Sequence, residues 1–200
     1  MIKIKHPEWL HVVKQYKTFY GFDQKWYRRV WRRTAGCGPT CATMTLIYLN
    51  KRNNLKLPYK NQGYNSIVDS MNKIWEYVTP GLRGLNTLEL YQNGIARIAT
   101  ENKIELNFQK RKIDAENKPP LEEVVDFVTQ GLKQDVPVGF LNWHNGNVTG
   151  LDDWHWVLIV AIEGNKIFCY DQGKKLSCDL KEWLEHTKKG GGFVYYTAKI

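Results

Sequence analysis

The hydrophobic pattern of this chain changes period once, and that change does most to limit its fold. Up to Leu132, apolar residues recur at three- and four-residue spacing. Ala42, Thr45, Leu46 and Leu49 form one such set, Leu88, Tyr91, Ile95 and Ile98 a second, and Leu121, Val124, Val125, Val128 and Leu132 a third. That is the repeat of a helix with one buried face. From Pro137 onward the pattern becomes strand-like. Residues 137–141 and 155–162 are short apolar runs, Glu163-Gly164-Asn165-Lys166 is a turn, and 166–170 reads as the returning strand. A short helix over 180–186 and a strand over 193–198 close the chain. Helices first and antiparallel strands afterwards imply an α+β fold, with helices packed on a sheet and not alternating with its strands.

The rest is less marked. A short helix is expected from Pro7 to Tyr16, and residues 1–20 read as an extension. The helix over 64–78 should stop at Thr79-Pro80-Gly81. Asn86 with Glu89 reads as a capping box, and 104–108 alternates like a strand. Asn117-Lys118-Pro119-Pro120 is a loop and not a boundary. With no internal repeat in 200 residues, one domain over 1–200 is expected.

No apolar run is long enough to span a bilayer, and the N-terminus lacks the apolar core of a signal peptide. A cytoplasmic location is therefore expected, with the four cysteines as thiols and not disulfides. The net charge of +9 includes Arg28, Arg29, Arg32 and Arg33 in one short stretch. They form either a solvated basic face or a site for an anionic partner such as nucleic acid or an acidic peptide. No zinc-finger, homeodomain or RNA-binding spacing accompanies them, so nucleic acid is not the expected partner.

The stretch 36-GCGPTCATMTLIYLN-50 carries the chemistry. Cys37 stands where a helix begins. Free amides and the helix dipole favour negative charge there, and a thiolate is the reactive form of cysteine. Gly36 is expected to allow an unusual backbone angle, and Pro39 suits a first helical turn. A base could come from His155, which opens the most apolar strand. His144 lies in a turn and is a weaker candidate, while His6, His11 and His186 read as surface residues. Asp171 ends the strand paired with the one His155 opens, where a carboxylate could orient an imidazole. Each residue alone has a bland reading: a buried thiol, a core histidine, a turn aspartate.

Together, 36-GCGPT-40, 155-HWVLIV-160 and 171-DQG-173 resemble the motifs of papain-like cysteine peptidases, in particular the branch that processes bacteriocin leaders at double-glycine sites. The resemblance implies a papain-like fold, in which a helical lobe carrying the nucleophile packs on an antiparallel sheet. It implies Cys37 as nucleophile, His155 as base and Asp171 as orienting acid, with a peptide or protein substrate and no cofactor. It also implies an oxyanion-binding glutamine ahead of the nucleophile, for which Gln24 is the candidate. Two departures stand out. Gln172 replaces the proline of the family's turn, and the four arginines are not part of its pattern.

Rival readings use the same residues. Cys37 and Cys41 lie one residue too far apart for a thioredoxin-type pair. A zinc site from Cys37, Cys41 and His155 lacks a second close cysteine pair; Cys41 is better read as a small buried residue. A binding module that has lost activity, or an acyl transferase working through the same triad, remains open.

Overall fold

The structure, a computed structural model, describes residues 1–199. In chain order the elements are β1 (Ile2–Lys3), β2 (His11–Lys14), β3 (Lys17–Tyr20), α1 (Val30–Ala35), α2 (Cys37–Asn53), α3 (Tyr64–Trp75), α4 (Leu88–Glu101), β4 (Leu106–Ile113) and α5 (Leu121–Lys133). They continue with β5 (Val138–Asn142), β6 (His155–Glu163), β7 (Lys166–Asp171), β8 (Lys174–Asp179), α6 (Leu180–His186) and β9 (Gly191–Ala198). The main sheet runs β4-β9-β5-β6-β7-β8, with every pairing antiparallel. β1 pairs with the far end of β6, beyond the stretch that β5 covers. The α+β layout expected from the sequence is the one the chain adopts. Among the described residues no helix is long and apolar enough to cross a membrane.

α2 is the central helix. Gly38 through Leu49 are all buried, so it is enclosed on every side and not amphipathic. Two of its threonines remain compatible with burial because Thr43 and Thr45 return their hydroxyls to the carbonyls of Pro39 and Cys41. α2 packs on β6, and α4 joins it on that face, where Tyr91 stacks on Trp156 at 4.3 Å. Phe140, one residue from the partner of Trp156, points to the opposite face. There it stacks on Phe193 at 4.6 Å and meets Trp183 of α6 edge-on. The lobe bearing α2 packs on the sheet as expected, and α5 and α6 cover the other face.

Several local readings need correction. Pro7–Leu10 forms only one 3-10 turn, followed by the β2–β3 hairpin in place of a helix to Tyr16. Gln15 and Tyr16 both adopt positive φ, the geometry of a tight hairpin turn, and Val12-Val13 favours extended backbone. The cap of α4 is Thr87, whose hydroxyl accepts from the Leu90 amide at 3.1 Å, and not Asn86. The strand expected at 104 begins at Leu106, because Lys103 takes a left-handed conformation and the Ile104 amide closes the end of α4. α1 and β8 lay outside the sequence reading altogether.

Candidate active site

The junction of α1 and α2 places Cys37, and each residue of the Gly-Cys-Gly-Pro string has a steric reason. Gly36 has φ −85°, which any residue adopts, so the expected unusual angle is not why it is glycine. Space is the reason: a Cβ there would lie 2.3 Å from the Arg32 carbonyl and 2.8 Å from the Tyr27 ring. At Gly38 a Cβ would come within 2.5 Å of Leu85. Pro39 sits in the first turn, where its missing N–H is not needed. Cys37 is thereby fixed at the first helical position, half-buried, with the unpaired amides of the helix start around it.

β6 and β7 supply the other two side chains. Leu158 pairs with Tyr170, so Asp171 falls beside the stretch that leads back to His155. His155 is only 6% exposed, and its Nε2 lies 2.7 Å from Asp171 Oδ1. Nε2 is engaged by Asp171, so Nδ1 is the nitrogen left to serve Cys37, which lines one crevice with that carboxylate. Burial alone would depress the basicity of His155. The hydrogen bond to Asp171, with the influence of Cys37, outweighs that and holds its pKa up, to about 10. Gln24, Cys37, Asp171 and Gln172 line one narrow crevice. The Gln24 side chain donates to the Arg33 carbonyl at 2.7 Å, tying its loop to α1. The four residues singled out in the sequence are thus brought together.

Two contributors went unread. Asn142, fully buried opposite His155, donates to the Asp152 carbonyl at 2.6 Å and accepts from the Trp183 indole at 2.8 Å. It fixes the loop that delivers His155. The Asp152 carboxylate accepts from Gln172 at 3.2 Å. Ligand atoms of Asp152, His155 and Asp171 lie within 4.8 Å of one another, a set whose chemistry could take a metal ion. A polar residue closing the apolar strand 138–142 was the only sequence signal for Asn142.

The remaining candidates lie elsewhere. Cys41 is buried, its thiol directed to the Val157 carbonyl at 3.6 Å, and burial pushes its pKa up to about 12. All four cysteines are free thiols. His144 accepts amides of Gly146 and Lys188 through Nδ1, a loop-holding role. His6 and His186 are exposed as expected, but His11 is half-buried, with Nε2 2.8 Å from the Tyr170 hydroxyl.

Beside Cys37 a groove of about 190 Å³ opens between α1, the 82–86 loop and the sheet, walled by Trp31, Leu82, Leu85, Leu141 and Trp154. Indole donors hold that loop to the sheet: Trp156 to the Leu85 carbonyl at 2.6 Å and Trp143 to that of Asn86 at 2.9 Å.

No family model and no curated protein matches the chain. Among solved structures, a double glycine motif protease from an AMS/PCAT transporter, in complex with its leader peptide, aligns over 100% of this chain and 99% of its own. The identity is 11% and the TM-score 0.48.

Proposed function

We propose that this protein is a cysteine peptidase that cleaves a peptide bond through a thioester acyl-enzyme. The observation that carries the reading is the His155–Asp171 hydrogen bond beside Cys37, which shares a crevice with Asp171 at a helix start that opens on a groove. His155 takes the Cys37 proton, and the sulfur attacks the substrate carbonyl to form a C–S bond. The carbonyl oxygen becomes an oxyanion, received by amides at the start of α2 and by Gln24 once its side chain turns from Arg33. The C–N bond then breaks, and the imidazolium gives its proton to the departing amine. His155 next deprotonates a water molecule, which attacks the thioester, releases the carboxylic acid and returns the proton to Cys37. Asp171 holds the ring and stabilises its cationic form.

The test combines alkylation with cleavage. Iodoacetamide should label Cys37 faster than a free thiol at mildly acidic pH, and His155→Ala should abolish that advantage. Mass spectrometry of a peptide mixture rich in Gly-Gly sequences should reveal cleavage by the wild type and none by Cys37→Ala. Products carrying an added amine would indicate transfer instead of hydrolysis. Ordinary thiol reactivity together with intact peptides would overturn the proposal.

A further inference from the structure

The sequence singled out four arginines that the catalytic reading does not use. Arg28, Arg29 and Arg32 line a cleft of about 320 Å³ between the start of α1 and α3. Arg32 is held in place, donating to Asn72 at 2.8 Å and lying over the Trp75 ring. Arg28, Arg29 and Arg33 are exposed. Among the described residues none of the four forms an ion pair with a carboxylate. Asp69 is the single acidic residue lining the cleft. Unpaired arginines concentrated in this way leave a local excess of positive potential.

α1 is the common wall of this cleft and of the groove at Cys37. Its Trp31 and Thr34 face the groove, and Arg32 faces the cleft. The groove is itself apolar and open. Trp31 is 47% exposed, Trp154 51% and Leu82 98%. Its rim is again cationic, with Arg83 in the lining and the Lys189 ammonium 4.8 Å from the centre of the Trp154 ring. Exposed aromatic and aliphatic side chains beside the nucleophile, with unpaired arginines across one short helix, match a ligand that is apolar at one point and anionic close by.

We infer that the substrate is an acidic polypeptide: a large apolar side chain seats among Trp31, Leu82 and Trp154, and aspartate or glutamate residues of the same segment cross α1 to meet Arg28, Arg29 and Arg32. The inference rests on the peptidase reading for the identity of the groove, but its test is independent of turnover. Nucleic acid satisfies the arginines and can stack on the two indoles but offers no aliphatic counterpart to Leu82, Leu85 and Leu141, so a peptide fits the pair of clefts better.

The experiment measures binding to Cys37→Ala protein by fluorescence anisotropy. The probes are labelled peptides of one apolar sequence carrying three glutamates, three glutamines or three lysines. The acidic peptide should bind roughly ten-fold more tightly than the glutamine peptide, and the advantage should shrink with added salt. Arg28→Gln/Arg29→Gln should bring the acidic peptide to the level of the glutamine one, while affinity for the glutamine peptide stays within about two-fold of that of the parent. Equal affinity for the acidic and glutamine peptides, or an unaltered preference in the double variant, would overturn the inference. So would tighter binding of a single-stranded oligonucleotide than of the acidic peptide. If the preference appears and no peptide is cleaved, the peptidase reading fails and this one stands. If peptides are cleaved without charge preference, the reverse holds.

Discussion

At the scale of single residues, the buried pair of His155 and Asp171 couples chemistry to stability. Asp171→Asn keeps the shape of the side chain and removes its charge. The imidazole then loses the partner that opposes its desolvation, and turnover should fall by about 10²–10⁴ with little change in KM, as steady-state kinetics would report. Unchanged turnover would remove Asp171 from the mechanism. The same substitution has a stability signature. His155 has a folded pKa raised from 6.5 to about 10. A basic group raised in this way contributes stability that is fully present below its unfolded pKa and is lost as pH climbs toward its folded one. The melting temperature of the wild type should therefore exceed that of Asp171→Asn most near pH 6, and the gap should narrow toward pH 10. A gap independent of pH would mean that His155 is not the group responsible. The pairing of Asp171 with His155 was legible in the sequence, but its effect on the basicity of a buried imidazole was not. His155, Asp171 and Cys37 could be picked out by type and position, but Asn142 and Asp152, which hold the loop ahead of His155, read only as the end of a strand and part of a polar turn.

At the scale of elements, the turn after Asp171 explains one of the two departures from the resembled motif. Gln172 and Gly173 have φ of 46° and 72°, both left-handed, and they join β7 directly to β8 in a two-residue hairpin. Proline is locked near φ −65° and cannot occupy position 172 of this turn. Gln172→Pro should consequently break the hairpin, displace Asp171 and lower both melting temperature and activity. Gln172→Asn creates the Asn-Gly pair such turns favour and should raise the melting temperature. Comparison of the two variants by thermal denaturation checks the assignment, and a Gln172→Pro protein as stable as wild type would contradict it. β8 escaped the sequence reading for a related reason. Its Lys174-Lys175-Leu176-Ser177-Cys178-Asp179 is largely polar because it is the sheet's last strand, with one side unpaired. α2 makes the opposite point. Its start was legible, but Gly36 was assigned a backbone role when the structure gives it a steric one. Gly36→Ala should thus be costly despite its ordinary φ, destabilising by roughly 1–3 kcal/mol as overpacking does and shifting Cys37 with it. A thermal melt and the Cys37 alkylation rate measure the two effects.

At the scale of the whole molecule, the switch from helical to strand periodicity was enough to reach the α+β layout, because both signals are local and strong. What it could not reveal was how the first twenty residues are used. Ile2-Lys3 is a very short strand whose partner is the distant β6, and the β2–β3 hairpin pairs only within itself before docking on the far-off turn at Gly173. Read alone, they resemble an extension; in the fold they brace the site. The Tyr20 amide donates to the Gly173 carbonyl at 2.9 Å, and Phe19 packs on Gly173, within the turn that follows Asp171. His11 meets Tyr170, the residue before that aspartate. Farther from the site, the Lys5 amide and the Tyr48 hydroxyl both donate to Asp135, tying the segment to α2 and to the entry of β5. Ile4, Leu10 and Val12 are buried. At about 1.5–3 kcal/mol for each buried aliphatic side chain, these three account for roughly 5–9 kcal/mol. That is comparable with the whole stability of an ordinary domain, about 5–15 kcal/mol. A chain beginning at Gly21 should accordingly fail to give a cooperative thermal transition by circular dichroism, and its Cys37 should lose any reactivity above that of a free thiol. A truncated protein that melts cooperatively near the wild-type temperature would instead make residues 1–20 the dispensable extension that their sequence suggests.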